Sequence, residues 1–410
     1  MRPRVVQVLA SLGYGDAIGQ HALSTFRVLA DAGFETDIFV ETADPRLQDL
    51  TRDYRDLVDT IRPDDIVINQ FSLGSRASRT AYAVPSRMIL TYHNITPPQY
   101  FLGEHPGLVR QCYHGRRELQ AYRSRVDLAL GVSAFNRREL DALGFSHTGI
   151  QPLVADFGHL DVQPDSRILE AYDDEAVNIL FVGRLIPNKR PDNLIKYFHA
   201  YRAVSHRPAR LLLAGSYAHF PNYRDELHAL AHRLGAEDVY ILGQVSPEEL
   251  TALYDVADVF LSASEHEGFC VPLMEAFYKR VPVIARAAAA VPDTMDGGGL
   301  LYDTQDPREV AGLVDAIVTD EVLEARVLRA QDEALTRLRA IDFAGRTIAH
   351  VEEVIARPVR PLIPVDADFW RQFQLADELD AIRETRPSAF QALPAASHGA
   401  SAVADVVDRA

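Results

Sequence analysis

Val259-Phe260-Leu261, then Ser264-Glu265-His266-Glu267-Gly268-Phe269-Cys270-Val271-Pro272-Leu273-Met274-Glu275-Ala276-Phe277, then Val281-Pro282-Val283-Ile284: the fold is decided by how this stretch reads. An apolar run, a polar loop, a helix-like run and a second apolar run give strand, loop, helix, strand. Pro272 suits the first helical turn, where its missing N–H costs nothing. The amides of Phe269, Cys270 and Val271 then have no helical partners and lie at the positive end of the helix dipole. That is a seat for a phosphate group. Two carboxylates, Glu267 and Glu275, bracket the seat.

Outward from this stretch the pattern repeats. Val177–Val182, Arg210–Ala214 and Val239–Leu242 are further strand candidates, and helical periodicity runs from Pro307 to about Ile355. The first half alternates in the same way. Arg4–Ala10, Thr36–Val40, Ile66–Asn69, Met88–Tyr92, Leu128–Val132 and Gly149–Val154 read as strands, with helical stretches between most of them. Strand–helix alternation points to parallel sheets covered on both faces, here in two α/β domains. The polar segment from Asp156 to Asp174 reads as a linker, so the domains are expected at 1–160 and 175–355. Residues 356–390 are expected to pack back near the first domain, and the Ala/Ser-rich 391–410 to be disordered.

Composition narrows the function. With 410 residues, 47% hydrophobic and 24% charged, the chain suits two soluble domains with cores of their own. A net charge of −16 argues against general nucleic-acid affinity. Two cysteines, Cys112 and Cys270, make no disulfide framework or metal site, and a reduced cytoplasm is the simplest setting. Gly13, Gly15 and Asp16 interrupt the first apolar run too soon for a signal peptide, and no run is long enough to span a bilayer. Membrane contact, if any, is expected to be peripheral.

Five further stretches are candidates for chemistry. Gly183-Arg184-Leu185-Ile186-Pro187-Asn188-Lys189 follows the first strand of the second domain, at the carboxyl end where open parallel sheets bind ligands. Arg184 offers phosphate a planar fork and Lys189 a mobile point charge. Single basic loop residues are usually solvated surface; Gly183 and the shared sheet edge with the Glu267 loop favour function. Gly13-Tyr14-Gly15-Asp16-Ala17-Ile18-Gly19, with Glu41 after strand two, is one residue too long for a dinucleotide fingerprint, and reads equally as a tight turn. His93-Asn94 ends a strand on the same kind of edge, where a histidine reads equally as a substrate contact or a structural residue. Arg110, Arg116, Arg117, Arg123 and Arg125, interleaved with Leu108, Tyr113, Leu119 and Tyr122, read as a solvated helix face ahead of a lipid-binding one. Asp366 and Asp368 have no partner at metal-ligand spacing and read as surface or a helix cap.

Taken together, Phe181-Val182-Gly183-Arg184, Leu242-Gly243-Gln244-Val245-Ser246, Glu267-Gly268-Phe269, Glu275-Ala276 and Pro282-Val283-Ile284-Ala285, in that order, resemble the GT-B glycosyltransferases, and within them the retaining family 4. That resemblance implies two Rossmann-like domains facing each other across a cleft. It implies a nucleotide-sugar donor, a glycan or lipid-linked acceptor, and no metal. It gives Arg184, Lys189 and the backbone of Gly268, Phe269, Cys270 and Val271 to the donor diphosphate. Glu275 goes to the ribose, the backbone of Gln244 and Val245 to the base, and Glu267 to the transferred sugar. His93, Asp16 and Gly15 fall near the reacting centre. The His93-Asn94-Ile95-Thr96-Pro97-Pro98 stretch is similar to that of bacterial mannosyltransferases, so GDP-mannose is the expected donor, in polysaccharide or glycolipid synthesis at the inner face of a membrane. A UDP-hexose donor is the close alternative; an NAD(P)-dependent oxidoreductase or a non-catalytic nucleotide-binding module are the others. Two departures stand out: Cys270 and Arg280 occupy positions where the family usually has glycine.

Overall fold

The computed structural model describes residues 2–154, 156–218 and 220–358. Of the segments expected at 356–390 and 391–410, residues 359 onward, with Asp366 and Asp368, lie outside these.

Each of two compact units is built on one all-parallel sheet. In the first, β1 (Val5–Leu12), β2 (Ile38–Ala43), β3 (Arg52–Asp53), β4 (Ile66–Phe71), β5 (Arg87–Tyr92), β6 (Leu128–Gly131) and β7 (Thr148–Ile150) lie in the order β3-β2-β1-β4-β5-β6-β7. In the second, β8 (Val177–Val182), β9 (Ala209–Ala214), β10 (Val239–Gly243), β11 (Val259–Ser262), β12 (Val283–Arg286) and β13 (Leu300–Tyr302) lie in the order β10-β9-β8-β11-β12-β13. Both follow the doubly wound 3-2-1-4-5-6 order, in which the chain reverses direction across the sheet beside its first strand. The short strands β3 and β13 are absent from the sequence reading. Two or three residues at a sheet edge carry too little periodicity to register.

The strands are apolar because both sheet faces are covered. Val5, Ile66, Ile68, Ile89, Leu128 and Leu130 pack with Leu29 and Phe34 in the first unit. Phe260, Leu273, Met274, Phe277, Val283 and Met295 share one core in the second.

Three segments depart from the sequence reading. The helix Phe343–Ala356 belongs with the first unit, although periodicity had run the second domain to 355. Its Val351 and Val354 complete the first core, and Arg87 reaches its last carbonyls, Val354 O at 2.8 Å and Ile355 O at 2.7 Å. Residues 98–109, conversely, cluster with the second unit, Phe101 and His105 resting against the Phe220 ring. The expected linker from Asp156 is part of the second core: Phe157 and Leu160 are buried there, and Ser166–Tyr172 is a helix capped by Asp165. Its apolar residues outweigh its polar composition. In the basic helix Pro106–Tyr122 and the turn after it, two arginines are structural. Arg116 holds Ile95 O at 2.6 Å and Glu139 at 2.9 Å, while buried Arg125 holds the carbonyls of Tyr82 and Val84.

Candidate functional site

In the second unit the carboxyl ends of three neighbouring strands converge on glycine. Gly183, Gly215 and Gly243 follow or end β8, β9 and β10. Gly183 and Gly215 stand back to back at φ 150° and 149°; a Cβ on Gly215 would fall 1.9 Å from Gly183 O. No side chain fits between them, so this edge exposes main chain to whatever binds there.

After Gly183 the chain passes exposed Arg184 and closes a short turn, Pro187–Lys189. Buried Asn188 fastens this turn to the Glu267 loop: its Nδ2 donates to His266 O at 3.1 Å, and Glu265 N donates to its carbonyl at 2.9 Å. The fastening brings Lys189 Nζ to 2.5 Å from Glu267 Oε1, both side chains nearly out of solvent. Burial is the largest single influence on Lys189 and lowers its pKa, but the Glu267 charge, the Cys270 thiol and the hydrogen bond to Glu267 together outweigh it, so the net shift is upward and Lys189 stays charged. Arg184 has no ion-pair partner among the described residues, and its charge acts on Lys189. The two basic residues, alike in the sequence, are thus placed differently. Lys189 is neutralised by a carboxylate, while Arg184 is open to an incoming anion.

The loop itself is gripped from the other side. Thr294 Oγ1 donates to Phe269 O at 2.5 Å and Ala290 N to Glu267 O at 3.3 Å. Cys270 caps the helix Val271–Tyr278 with φ 74°, a left-handed conformation that L side chains seldom adopt. Pro272 lies in the first turn as expected, and the helix has no side-chain cap. The amides of residues 269–271 are therefore outside its hydrogen-bond ladder. Burial, then the neighbouring Glu267 charge, pushes the Cys270 thiol well up, so it stays protonated.

Glu275, one turn on, is 7% exposed and has both oxygens engaged. Tyr254 OH donates to Oε2 at 2.9 Å, and His159 Nε2 lies 2.9 Å from Oε1. His159 comes from the segment read as a linker, and the hydrogen bond to Glu275 raises its pKa. Gln244 and Val245 follow Gly243 on the same edge. Gln244 is exposed, while Val245 packs against the core with Phe269 and Cys270.

The first unit has its own strand-end cluster. Asp16 caps the helix Ala17–Asp31, accepting from Gly19 N at 2.6 Å. A Cβ on Gly13 would lie 1.8 Å from Asp16 Oδ2, so the glycine loop is a tight turn closed on its own cap. Glu41 accepts from Ala77 N at 2.8 Å, at the start of the helix Arg76–Ala83. It serves another helix, not the glycine loop. His93 follows β5, its Nε2 2.7 Å from Gln70 Oε1 and its ring edge-on to His21 at 5.2 Å. Burial, then the proximity of His21, holds its pKa well below the ordinary value. Asn94 beside it has φ 79°, and its Nδ2 donates to Asn136 at 2.9 Å and Glu139 at 3.0 Å.

Sequence reading thus named Arg184, Lys189, Glu267 and Glu275 but missed their holders: Asn188, Gly215, His159 and Tyr254. It also missed Gln7 and Gln70 beneath His93. These two had a signal, since a polar residue inside a strand covered on both faces must find a buried partner.

Comparison with known proteins agrees with this geometry. Residues 163–333 match the family described as Glycosyl transferases group 1. D-inositol 3-phosphate glycosyltransferase of Xylanimonas cellulosilytica is 32% identical over 189 residues, which cover 44% of each chain. This match spans less than half of that relative's length. A glycosyltransferase from Rickettsia africae superposes with a TM-score of 0.67 at 15% identity, over 87% of this chain and 100% of that one. Anabaena HepE, solved with UDP and glucose, gives 0.66 at 17% identity over 86% and 100%. The chain has the GT-B fold, two Rossmann-like α/β units. Its residues 163–333, which carry Arg184, Lys189, Glu267 and Glu275, are the part similar to the group 1 glycosyl transferases.

Proposed function

We propose that the protein is a nucleotide-sugar-dependent glycosyltransferase, moving a hexose from a nucleoside diphosphate to a hydroxyl of a glycan or lipid-linked acceptor. The observation that carries this reading is Arg184, without an ion-pair partner among the described residues, on the same glycine-lined strand edge of the second unit as the start of the helix Val271–Tyr278, which has no side-chain cap. Breaking the glycosyl–phosphate bond leaves negative charge on the diphosphate. Arg184, Lys189 and the loop amides oppose that charge, each charge-assisted hydrogen bond being worth roughly 1.5–3 kcal/mol. Glu267 steadies the positive charge developing on the sugar while keeping Lys189 ionised. Glu275, oriented by Tyr254 and His159, accepts from the ribose hydroxyls through the remaining lone pairs of its oxygens. The residues given to the leaving group are cationic and amide donors, so the reading calls for no metal.

GDP-mannose is the donor that the His93–Pro98 stretch suggests. A UDP-hexose is the second reading, favoured by the likeness to a protein solved with UDP and glucose. A lipid-linked acceptor would bring the chain to a membrane surface; among the described residues no helix is long and apolar enough to cross one. The test is a panel of nucleotide sugars scored for transfer and hydrolysis, with thermal shifts by GDP, UDP and NAD(P). Stabilisation by GDP or UDP with sugar release is the expected outcome. Stabilisation by NAD(P) alone would overturn the reading.

A further inference from the structure

Under His93 runs a line of three buried hydrogen bonds. His93 Nε2 lies 2.7 Å from Gln70 Oε1, Gln70 Nε2 lies 2.8 Å from Gln7 Oε1, and Gln7 Nε2 lies 2.8 Å from Ala22 O. Gln7 is 0% and Gln70 2% exposed, so no solvent competes for these groups. The far end of the line sets its polarity. A main-chain carbonyl can only accept, so Gln7 must turn its NH2 to Ala22 and its oxygen to Gln70. Gln70 must then donate to Gln7 and present its own oxygen to the imidazole. With the line reversed, Gln7 Oε1 would face Ala22 O at hydrogen-bond distance with no proton between them. A buried clash of two acceptors forfeits a hydrogen bond and adds repulsion.

His93 therefore carries its proton on Nε2. Nδ1 is left with its lone pair and has no hydrogen-bond partner among the described residues. The nearest titratable ring, His21 on the helix Ala17–Asp31, is itself held neutral, burial lowering its pKa to about 4.

We infer that Gln7 and Gln70 are positioning residues that lock His93 in the neutral Nε2–H form, so that Nδ1 is presented as a hydrogen-bond acceptor to a hydroxyl of a substrate bound at the strand ends of the first unit. The inference rests on the glycosyltransferase reading for the identity of the ligand; the tautomer itself does not. His93 then serves as an acceptor and not as a proton donor. Its contact selects for a sugar with a hydroxyl at that point, because an analogue lacking it leaves Nδ1 unsatisfied.

Two measurements on the full chain separate the parts. Long-range 1H–15N spectra of the histidine side chains, taken without nucleotide, are expected to show His93 with a protonated Nε2 and a bare Nδ1 between about pH 6 and pH 8. A major Nδ1–H form overturns the inference whatever the enzyme does. In the second measurement, Gln7→Leu removes the acceptor that orients Gln70. The His93 signals are expected to become those of a tautomer mixture, and kcat/KM to fall roughly tenfold, the worth of one hydrogen bond in the transition state. Gln7→Glu should restore both: a protonated carboxyl at that buried site donates to Ala22 O and accepts from Gln70. Equal losses in the Leu and Glu variants would mean that Gln7 only fills space, and would sink the inference. If no sugar is transferred while the parent shows the expected tautomer, the functional reading fails and the tautomer lock stands.

Discussion

Cys270 and Arg280 are the two positions where glycine is usual in the resembling family, and both have left-handed backbones here, φ 74° and 56°. The preference therefore has a local physical cause. A Cβ in this region costs roughly 1–2 kcal/mol, and glycine avoids it. Cys270→Gly is expected to relieve that strain at the mouth of the phosphate seat and to raise stability by about 1 kcal/mol in a denaturant titration, partly offset by the greater entropy of the unfolded chain. A loss above that size would show that the thiol's packing against the second core outweighs the backbone term. A second residue-scale prediction follows from the unequal partners of the two cations. Arg184→Ala should weaken nucleoside diphosphate binding roughly tenfold or more while leaving nucleoside binding and stability nearly unchanged. Lys189→Ala should also destabilise the fold, by about 3 kcal/mol, because it strands Glu267 in a nearly buried site. Calorimetric binding paired with melting curves checks both. If the two variants behave alike, the distinction between paired and open cation is wrong.

At the scale of elements, the loop–helix unit 264–278 works because other segments hold it. The Pro187–Lys189 turn is fastened through Asn188, and the segment after Asp156 supplies His159 to Glu275. This is where sequence reading reached its limit. The loop, the helix and their two carboxylates were legible from a local pattern of apolar runs, Pro272 and glycine. His159 was not, because its partner is more than a hundred residues away and its surroundings are rich in Asp, Gly and Pro. The pairing predicts a pH dependence. The hydrogen bond to Glu275 raises the His159 pKa in the folded protein above its unfolded value. Its contribution to stability is therefore complete below about pH 6.5 and is lost as pH rises through the raised folded value. Asp156 and Asp161, the other charges acting on His159, push in the same direction. Because the ring is about a third exposed, the effect is modest. His159→Gln should cost about 0.5 kcal/mol more at pH 6 than at pH 9 in parallel urea titrations. A difference of the opposite sign would show that His159 is not charged against Glu275.

On the scale of the whole molecule, the two sheets share one topology and divide the chain unevenly. Alternating strand and helix patterns foretold both sheets, since parallel order follows from crossover connections. They could not foretell which unit claims the last described helix. Periodicity gives a helix an apolar face and says nothing of which core that face enters. Phe343–Ala356 gives its face to the first core through Val351 and Val354, both 0% exposed, and Arg87 binds its terminal carbonyls. The nucleotide-binding residues proposed above all lie in the other unit. Val351→Ala combined with Val354→Ala removes buried methyl groups from the first core alone, at a cost of about 2–4 kcal/mol. Hydrogen exchange is expected to quicken in β1, β4, β5 and β6, while amides of β8, β9 and β11 keep their protection. Binding of UDP or GDP, measured by calorimetry on the same variant, should change less than about threefold, because both residues belong to the first unit's core and the proposed nucleotide-binding residues to the second unit. Faster exchange in β8 and β11, with β1 and β5 unaffected, would place the helix in the second unit's core and reverse this division of the chain.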